Sequence, residues 1–279
     1  MTTKPYQSVQ LMIAGPCSAE GDEQITFSIE QAAKRQVDFV RISLWKPRTK
    51  PGFDGLKEDG IDLLIKSIKM GVNPATEVLT PEHASAVIDR VLPHMSESQR
   101  LMIWIGARNQ NHLAQQAIAK LAAQDHRISL MLKNQPWPSQ SHWEGLAAHA
   151  LEGGIAPENL ILCHRGFAPS KHDPNPMGCR NLADSEMAMA VKAATGVKMI
   201  MDISHIAGDV KNIEPVTLAH MVYNYDGLII EVHPNPRFAW TDAKQQITWE
   251  KLDDVMQKLD LAVDELRKTS SYPLEKVAT

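Results

Sequence analysis

Eight short apolar runs recur along this chain, and none of them alternates apolar with polar side chains. They lie at residues 11–16, 39–45, 73–78, 101–107, 128–134, 160–166, 198–204 and 227–233. A strand with one wet face alternates; a run that does not is covered on both faces. The intervening segments carry helical spacing, as at 24–34, 57–69, 111–123 and 184–194, and a further helical stretch at 250–268 follows the eighth run. Helix-start signals agree. Thr80-Pro81 pairs an N-cap with a proline at the first helical position, and Ser141-x-x-Glu144 reads as a capping box. Doubly covered strands alternating with helices form parallel sheets, and eight such units in series predict an α/β fold, a closed (β/α)8 TIM barrel. No linker or short-period repeat divides the 279 residues, so a single domain over 1–279 is expected, its barrel core at about 11–268. The one long, turn-rich connection is 168–180, APSKHDPNPMGCR, after the sixth run. Connections of that length are often functional.

Charge limits the partners. Lys and Arg total 29 against 33 Asp and Glu, a net charge of −4. That balance gives no bulk attraction to nucleic acid or to an anionic membrane, so any anion site is local. Residues 1–15 lack the apolar run of a secretory leader, and no stretch is long enough to span a bilayer. Three cysteines, Cys17, Cys163 and Cys179, are too few for a disulfide framework. A soluble cytoplasmic protein is expected.

In such a barrel, chemistry gathers where strands end and the following loops begin. The polar residues at those ends are Cys17, Arg41 with Lys46 and Arg48, Glu77, Arg108, Lys133, His164 with Arg165, His205, and Glu231 with His233; Asp242 lies just beyond the eighth run. They sort into two chemical sets. Arg41, Lys46, Arg48, Arg108, Lys133 and Arg165 are cations. Any one of them reads as readily as a solvated loop residue, but together in one mouth they would repel unless anionic ligands filled it. The cluster implies substrates carrying several negative charges. The second set, Cys17, His205, Glu231 and Asp242, has the donor chemistry of a divalent metal site. A thiolate, an imidazole and two carboxylates suit Mn²⁺, Fe²⁺, Co²⁺ or Zn²⁺ better than Mg²⁺ or Ca²⁺. No local spacing supports it, because the four residues come from four different loops.

Nine segments nevertheless share an order. They are AGPCSAE (14–20), VRISLWKPRTKPGFDGL (40–56), ATEV (75–78), IGARNQN (105–111), LKN (132–134), LCHRGF (162–167), CRNLADS (179–185), DISHIAGD (202–209) and EVHPNPRFAWTDAKQQ (231–246). Over residues 11–261 the chain resembles 3-deoxy-D-arabino-heptulosonate 7-phosphate (DAHP) synthases of the type I beta subclass. The resemblance implies the first reaction of the shikimate pathway, toward chorismate and the aromatic amino acids: a transferase condensing phosphoenolpyruvate with erythrose 4-phosphate. It implies Cys17, His205, Glu231 and Asp242 as ligands of a divalent ion, Mn²⁺ first among those named. Arg41, Lys46, Arg108, Lys133 and Arg165 match positions that hold the carboxylate and phosphate of phosphoenolpyruvate. Lys46-Pro47-Arg48-Thr49 matches the family's KPRT motif, whose Arg48 and Thr49 face erythrose 4-phosphate. Glu77 resembles an acidic residue near the reacting water, and Lys46 is placed between the two substrates. Lys46, Glu77, Cys17 and His205 are therefore the expected catalytic group.

The resemblance also implies a homodimer or homotetramer, and a possible chorismate mutase domain or chain as partner. The sequence departs from the family at Ile203, where proline is usual, at Ala207, where glycine is common, and at Asn134-Gln135-Pro136-Trp137 after Lys133. None of these removes a ligand or a substrate cation. Two other readings differ in class or substrate. The sister 3-deoxy-D-manno-octulosonate 8-phosphate synthases use arabinose 5-phosphate and carry a different motif at 46–49; a non-catalytic barrel regulating a partner would be expected to lack a ligand or a cation.

Overall fold

The computed structural model describes residues 5–47 and 52–269. Eight parallel strands close a barrel in sequence order: β1 (Leu11–Gly15), β2 (Phe39–Arg41), β3 (Pro74–Glu77), β4 (Leu101–Ile105), β5 (Ile128–Lys133), β6 (Leu160–His164), β7 (Lys198–Asp202) and β8 (Gly227–Glu231). The ladder closes through five register pairs from Leu11↔Gly227 to Gly15↔Glu231. Helices α1 (Asp22–Lys34), α2 (Ile61–Lys69), α3 (Pro81–Val91), α4 (His112–Ala122), α5 (Gln140–Glu152) and α6 (Ser185–Thr195) separate the first seven strands. Helices α7 (Ile203–Ala207) and α8 (Val210–His220) follow β7, and α9 (Trp249–Thr269) follows β8. The (β/α)8 barrel is thus the fold that the unalternated runs predict.

Strands are shorter than their apolar runs because the runs continue past the ladder. Ile42 N–H still bonds the Ala75 carbonyl of β3 at 2.8 Å, but Leu44 N–H bonds the Thr76 side-chain hydroxyl at 3.2 Å in place of a backbone carbonyl. Thr80 caps α3 as expected, its side chain accepting His83 N–H at 3.3 Å. The capping box at Ser141 is corrected. Ser139 is the N-cap of α5, accepting His142 N–H at 3.3 Å, while Glu144 accepts from Gln140 at 2.8 Å. Starting at Gln140 puts Trp143, Leu146, Ala147 and Ala150 on the buried side of α5. Residues 270–279, past the expected barrel core, lie outside the described residues. Among the described residues no helix is long and apolar enough to cross a membrane.

Strand parity decides what the barrel encloses, since successive side chains point to opposite faces. Ile13, Phe39, Ala75, Met102, Trp104, Met131, Ile161, Cys163, Ile200 and Ile229 form one apolar cluster inside the barrel. Met12, Val40, Ile103, Leu130, Leu162, Met201 and Leu228, one residue removed, belong to the outer cluster beneath the helices. Two residues beyond the interior side chains, at the same parity, come Arg41, Glu77, Lys133, Arg165, Asp202 and Glu231. The apolar floor therefore gives way to a charged layer within one step along six strands.

Candidate active site at the barrel mouth

The charged layer lines a cleft of about 580 Å³ with Arg41, Lys46, Glu77, Arg108, Lys133, Arg165, His205 and Asp242 among its walls. Trp104 forms the boundary with the floor. Its ring carries the Arg41 guanidinium carbon at 5.3 Å and Lys133 Nζ at 5.7 Å, so the negative π-face helps hold two cations that burial penalises. Gly106 follows Trp104 at the same parity, and a Cβ there would overlap the Glu77 carboxylate. A side chain at that position would push Glu77 out of place.

The buried cations are paired. Arg41 donates Nη2 to Glu231 Oε1 at 3.0 Å, with both side chains essentially inaccessible. Its Nε reaches the Pro16 carbonyl at 3.3 Å, and among the described residues its buried Nη1 has no partner. A buried guanidinium N–H left without an acceptor is costly unless a ligand supplies one. Lys133 donates to Asp202 at 2.6 Å, and Lys46 donates to Asp242 at 2.9 Å and to Cys17 Sγ at 2.6 Å. Burial works against the Lys46 ammonium, but Cys17, Glu231 and Asp242 outweigh it and raise its pKa. Glu77 is raised as well, but there burial is the cause and the neutral form gains, despite four cations around it.

Asp202 was not among the residues singled out from sequence, yet it ties two of them together. Fully buried, it caps α7 through His205 N–H at 3.1 Å, accepts from His205 Nδ1 at 2.9 Å, and takes the Lys133 ammonium. Burial opposes its charge, but His205 and Lys133 hold its carboxyl well below the usual carboxylate range. Burial also lowers His205 to about 4, so the ring is neutral near pH 7. With Nδ1–H directed at Asp202, Nε2 carries the lone pair.

Cys17, Glu231 and Asp242 each offer a ligand atom within 4.8 Å of the others. His205 lies beside them, its Nδ1 3.9 Å from Glu231 Oε1. Burial and the neighbouring carboxylates push the Cys17 thiol up to about 12; a bound divalent ion reverses that preference, because a coordinating thiol ionises. Two buried glutamines, also missed from sequence, brace the cluster. Gln245 Nε2 donates to Glu231 Oε2 at 2.6 Å, and Gln246 links Cys17 N–H (2.9 Å) to the Thr241 carbonyl (2.8 Å). Asp242 itself sits in the left-handed region at φ 43, a conformation Asp tolerates and one that clusters at functional sites. Cys17, Glu231 and Asp242 are of the right type and proximity to hold a divalent ion, with the His205 ring beside them.

The remaining expected residues divide. Pro47 accepts Arg108 Nη1 on its carbonyl at 2.8 Å, joining the loops after β2 and β4. Arg48 and Thr49 lie outside the described residues. His233 is not in the cleft; its ring meets Glu20 at 3.3 Å and helps anchor the loop after β8. His164 falls at the outward parity. It is buried against Trp143, ring centroids 5.3 Å apart, and its Nε2 accepts Asp184 N–H at 2.9 Å. The i, i+2 step from Ile200 would have exposed Asp202 in the sequence, whereas nothing local marks the glutamines.

The chain can now be set beside known proteins. A phospho-2-dehydro-3-deoxyheptonate aldolase of Thermotoga maritima is 28% identical over 257 residues, 91% of this chain and 70% of the relative. A crystal structure of phospho-2-dehydro-3-deoxyheptonate aldolase (DAHP synthase) from Thermotoga maritima superposes with a TM-score of 0.79 at 26% identity. It covers 93% of this chain and 71% of that one. A 2-dehydro-3-deoxyphosphooctonate aldolase of Rickettsia canadensis shares 23% identity over 271 residues, 89% of this chain and 90% of the relative. The family model described as DAHP synthetase I matches residues 7–266, nearly the whole barrel with its mouth, and the chain belongs to that family.

Proposed function

We propose that this barrel condenses phosphoenolpyruvate with erythrose 4-phosphate in the presence of a divalent metal ion, giving DAHP and inorganic phosphate. The carrying observation is the charged layer itself: paired cations, guanidiniums and a thiol–imidazole–carboxylate cluster at one mouth, above a barrel floor that is apolar and buried. Two anionic substrates repel each other in water, so their main requirement is charge neutralisation and fixed proximity.

In this reading Arg41, Lys133, Arg108 and Arg165 hold phosphoenolpyruvate by its carboxylate and phosphate, with the spare Nη1 of Arg41 among the donors. The third carbon of phosphoenolpyruvate bonds to the aldehyde carbon of erythrose 4-phosphate, water adds to the second carbon, and phosphate leaves. Lys46, held protonated beside Asp242, delivers a proton toward the aldehyde oxygen. Glu77, its carboxyl raised by burial, accepts a proton from the attacking water. Cys17, His205, Glu231 and Asp242 are the residues that would hold the ion, Mn²⁺ being our first choice. Once bound, a divalent ion supplies Lewis-acid polarisation of a carbonyl oxygen. Arg48 and Thr49 are assigned to erythrose 4-phosphate through the KPRT motif.

The test is phosphoenolpyruvate consumption with erythrose 4-phosphate and, separately, with arabinose 5-phosphate, each with Mn²⁺ and with EDTA. Consumption driven by erythrose 4-phosphate and stopped by EDTA is the expected result. Consumption with the pentose phosphate alone would transfer the chain to the chemistry of its octulosonate relatives, and consumption that survives EDTA would overturn the metal assignment.

A further inference from the structure

Six cations of the mouth differ in how they are partnered. Arg41, Lys46 and Lys133 each face a carboxylate within 3.0 Å. Three guanidiniums do not: Arg108 donates to the Pro47 carbonyl, Arg165 to Asn181 Oδ1 at 2.8 Å, and Arg180 to Gln245 Oε1 at 2.8 Å. Each is steered by a neutral acceptor, which fixes orientation without cancelling charge. The closest carboxylate to any of these three among the described residues is Asp242, 3.7 Å from Arg180 and already bonded to Lys46. Burial and the guanidiniums of Arg180 and Arg108 lower Arg165 to about 10, against the pull of Asp202. Two guanidiniums without a carboxylate partner and a third that shares one with Lys46, all lining one cleft, suit a dianion.

Arg180 is delivered by the long connection after β6. Its end is fastened to α7, the helix that carries His205: Arg180 N–H to the Ala207 carbonyl at 3.4 Å, Asn181 N–H to Ile206 at 3.2 Å, and Asn181 Nδ2 to the His205 carbonyl at 2.6 Å. Gly208 ends α7 in the left-handed region at φ 69, and a Cβ there would overlap that of Arg180. The glycine therefore lets the Arg180 backbone sit directly on the turn after His205. Such close seating of a long loop is hard to explain as surface decoration, since it places a cation into the mouth between Asp242 and Arg165.

We propose that Arg180 is the third guanidinium of a phosphate site formed with Arg108 and Arg165, and that it binds the phosphate of phosphoenolpyruvate. The proposal rests on the substrate assignment above. Arg180→Met and Arg180→Lys test it, with unchanged melting temperature confirming that the exposed position tolerates both. In Arg180→Met the KM for phosphoenolpyruvate should rise roughly 10- to 100-fold, the loss of a charge-assisted bond. KM for erythrose 4-phosphate and the Mn²⁺ affinity measured by equilibrium dialysis should stay unchanged, and Arg180→Lys should recover part of the loss. Calorimetric titration of inorganic phosphate into wild type and Arg180→Met gives a readout independent of turnover, and it should weaken by a similar factor. Unchanged phosphate and phosphoenolpyruvate binding in Arg180→Met overturns the proposal. So does a fall in Mn²⁺ affinity with phosphate binding intact, which would make Arg180 a support for Asp242. A wild-type protein that binds phosphate through Arg180 yet consumes no phosphoenolpyruvate would instead sink the substrate assignment.

Discussion

The floor and the innermost charged layer of the mouth are about equally buried, yet they are held together by opposite means. Met131, Ile200 and Ile229 of the floor and Arg41, Lys133, Asp202 and Glu231 of the mouth are all nearly inaccessible to water. The floor gains from burial directly, at about 25 cal/mol per Å² of apolar surface. The mouth must offset the desolvation of every charge with a partner, a bargain that is close to neutral even when geometry is good. Stability is therefore concentrated in the floor, and the mouth is kept for its charges. One step of strand parity separates the two.

Several experiments would break or sharpen that division. Lys46→Met should have the largest effect, lowering turnover by at least about 10³-fold through loss of a proton donor and a substrate cation, while Mn²⁺ content stays intact. Retained turnover would remove Lys46 from the chemistry. Met131→Ala, a floor truncation, should cost about 2–5 kcal/mol in denaturant unfolding, with KM for both substrates unchanged. A floor variant that altered KM as strongly as a mouth variant would show that the two layers are not separable.

Phosphoenolpyruvate at about a hundred times its Kd should add roughly 2.7 kcal/mol to the folded state, seen as a melting temperature several degrees higher. Met131→Ala should keep that increment and Lys133→Met should lose most of it. At neutral pH the smallest effect concerns His164, one residue before Arg165 but on the other face of β6. Burial depresses it to about 3 in the folded protein, from an ordinary value near 6.5. Between those pH values the unfolded chain binds more protons, so stability falls as pH drops through the window, by at most about 1.4 kcal/mol per pH unit. His164→Gln should flatten that acid limb in pH-dependent unfolding without changing KM. An altered KM with an unchanged acid limb would place His164 in the mouth after all.

Much of this was legible beforehand for a simple reason. Doubly buried strands must be apolar throughout, so their runs stand out against amphipathic helices, and the place where each run ends in a charge marks the mouth. The boundaries were less legible, because a run keeps its apolar character after the ladder releases it, as beyond Arg41. Ser141 misled because several serines near a helix start offer similar local chemistry, and the choice of Ser139 depended on which face Trp143 had to bury. His164 and Arg165 look alike as strand-end polar residues; only their register against Met131 and Trp143 sends one outward and the other in.

The sequence by itself determined the barrel and the charged and donor side chains at the ends of its runs, since both follow from patterns within single strands and the loops that leave them. The tertiary structure alone decided which of them meet. Cys17 and Asp242 lie 225 positions apart, yet the closure of β1 on β8 puts a thiol 3.3 Å from a carboxylate. Gln245, Gln246 and Arg180 gain partners in the same way, through contacts between loops that no local spacing encodes, and Asp202 on β7 meets Lys133 on β5 only because both face the mouth. Covalent order fixes the period of each strand, but which loops share a mouth is set by the closing of the sheet.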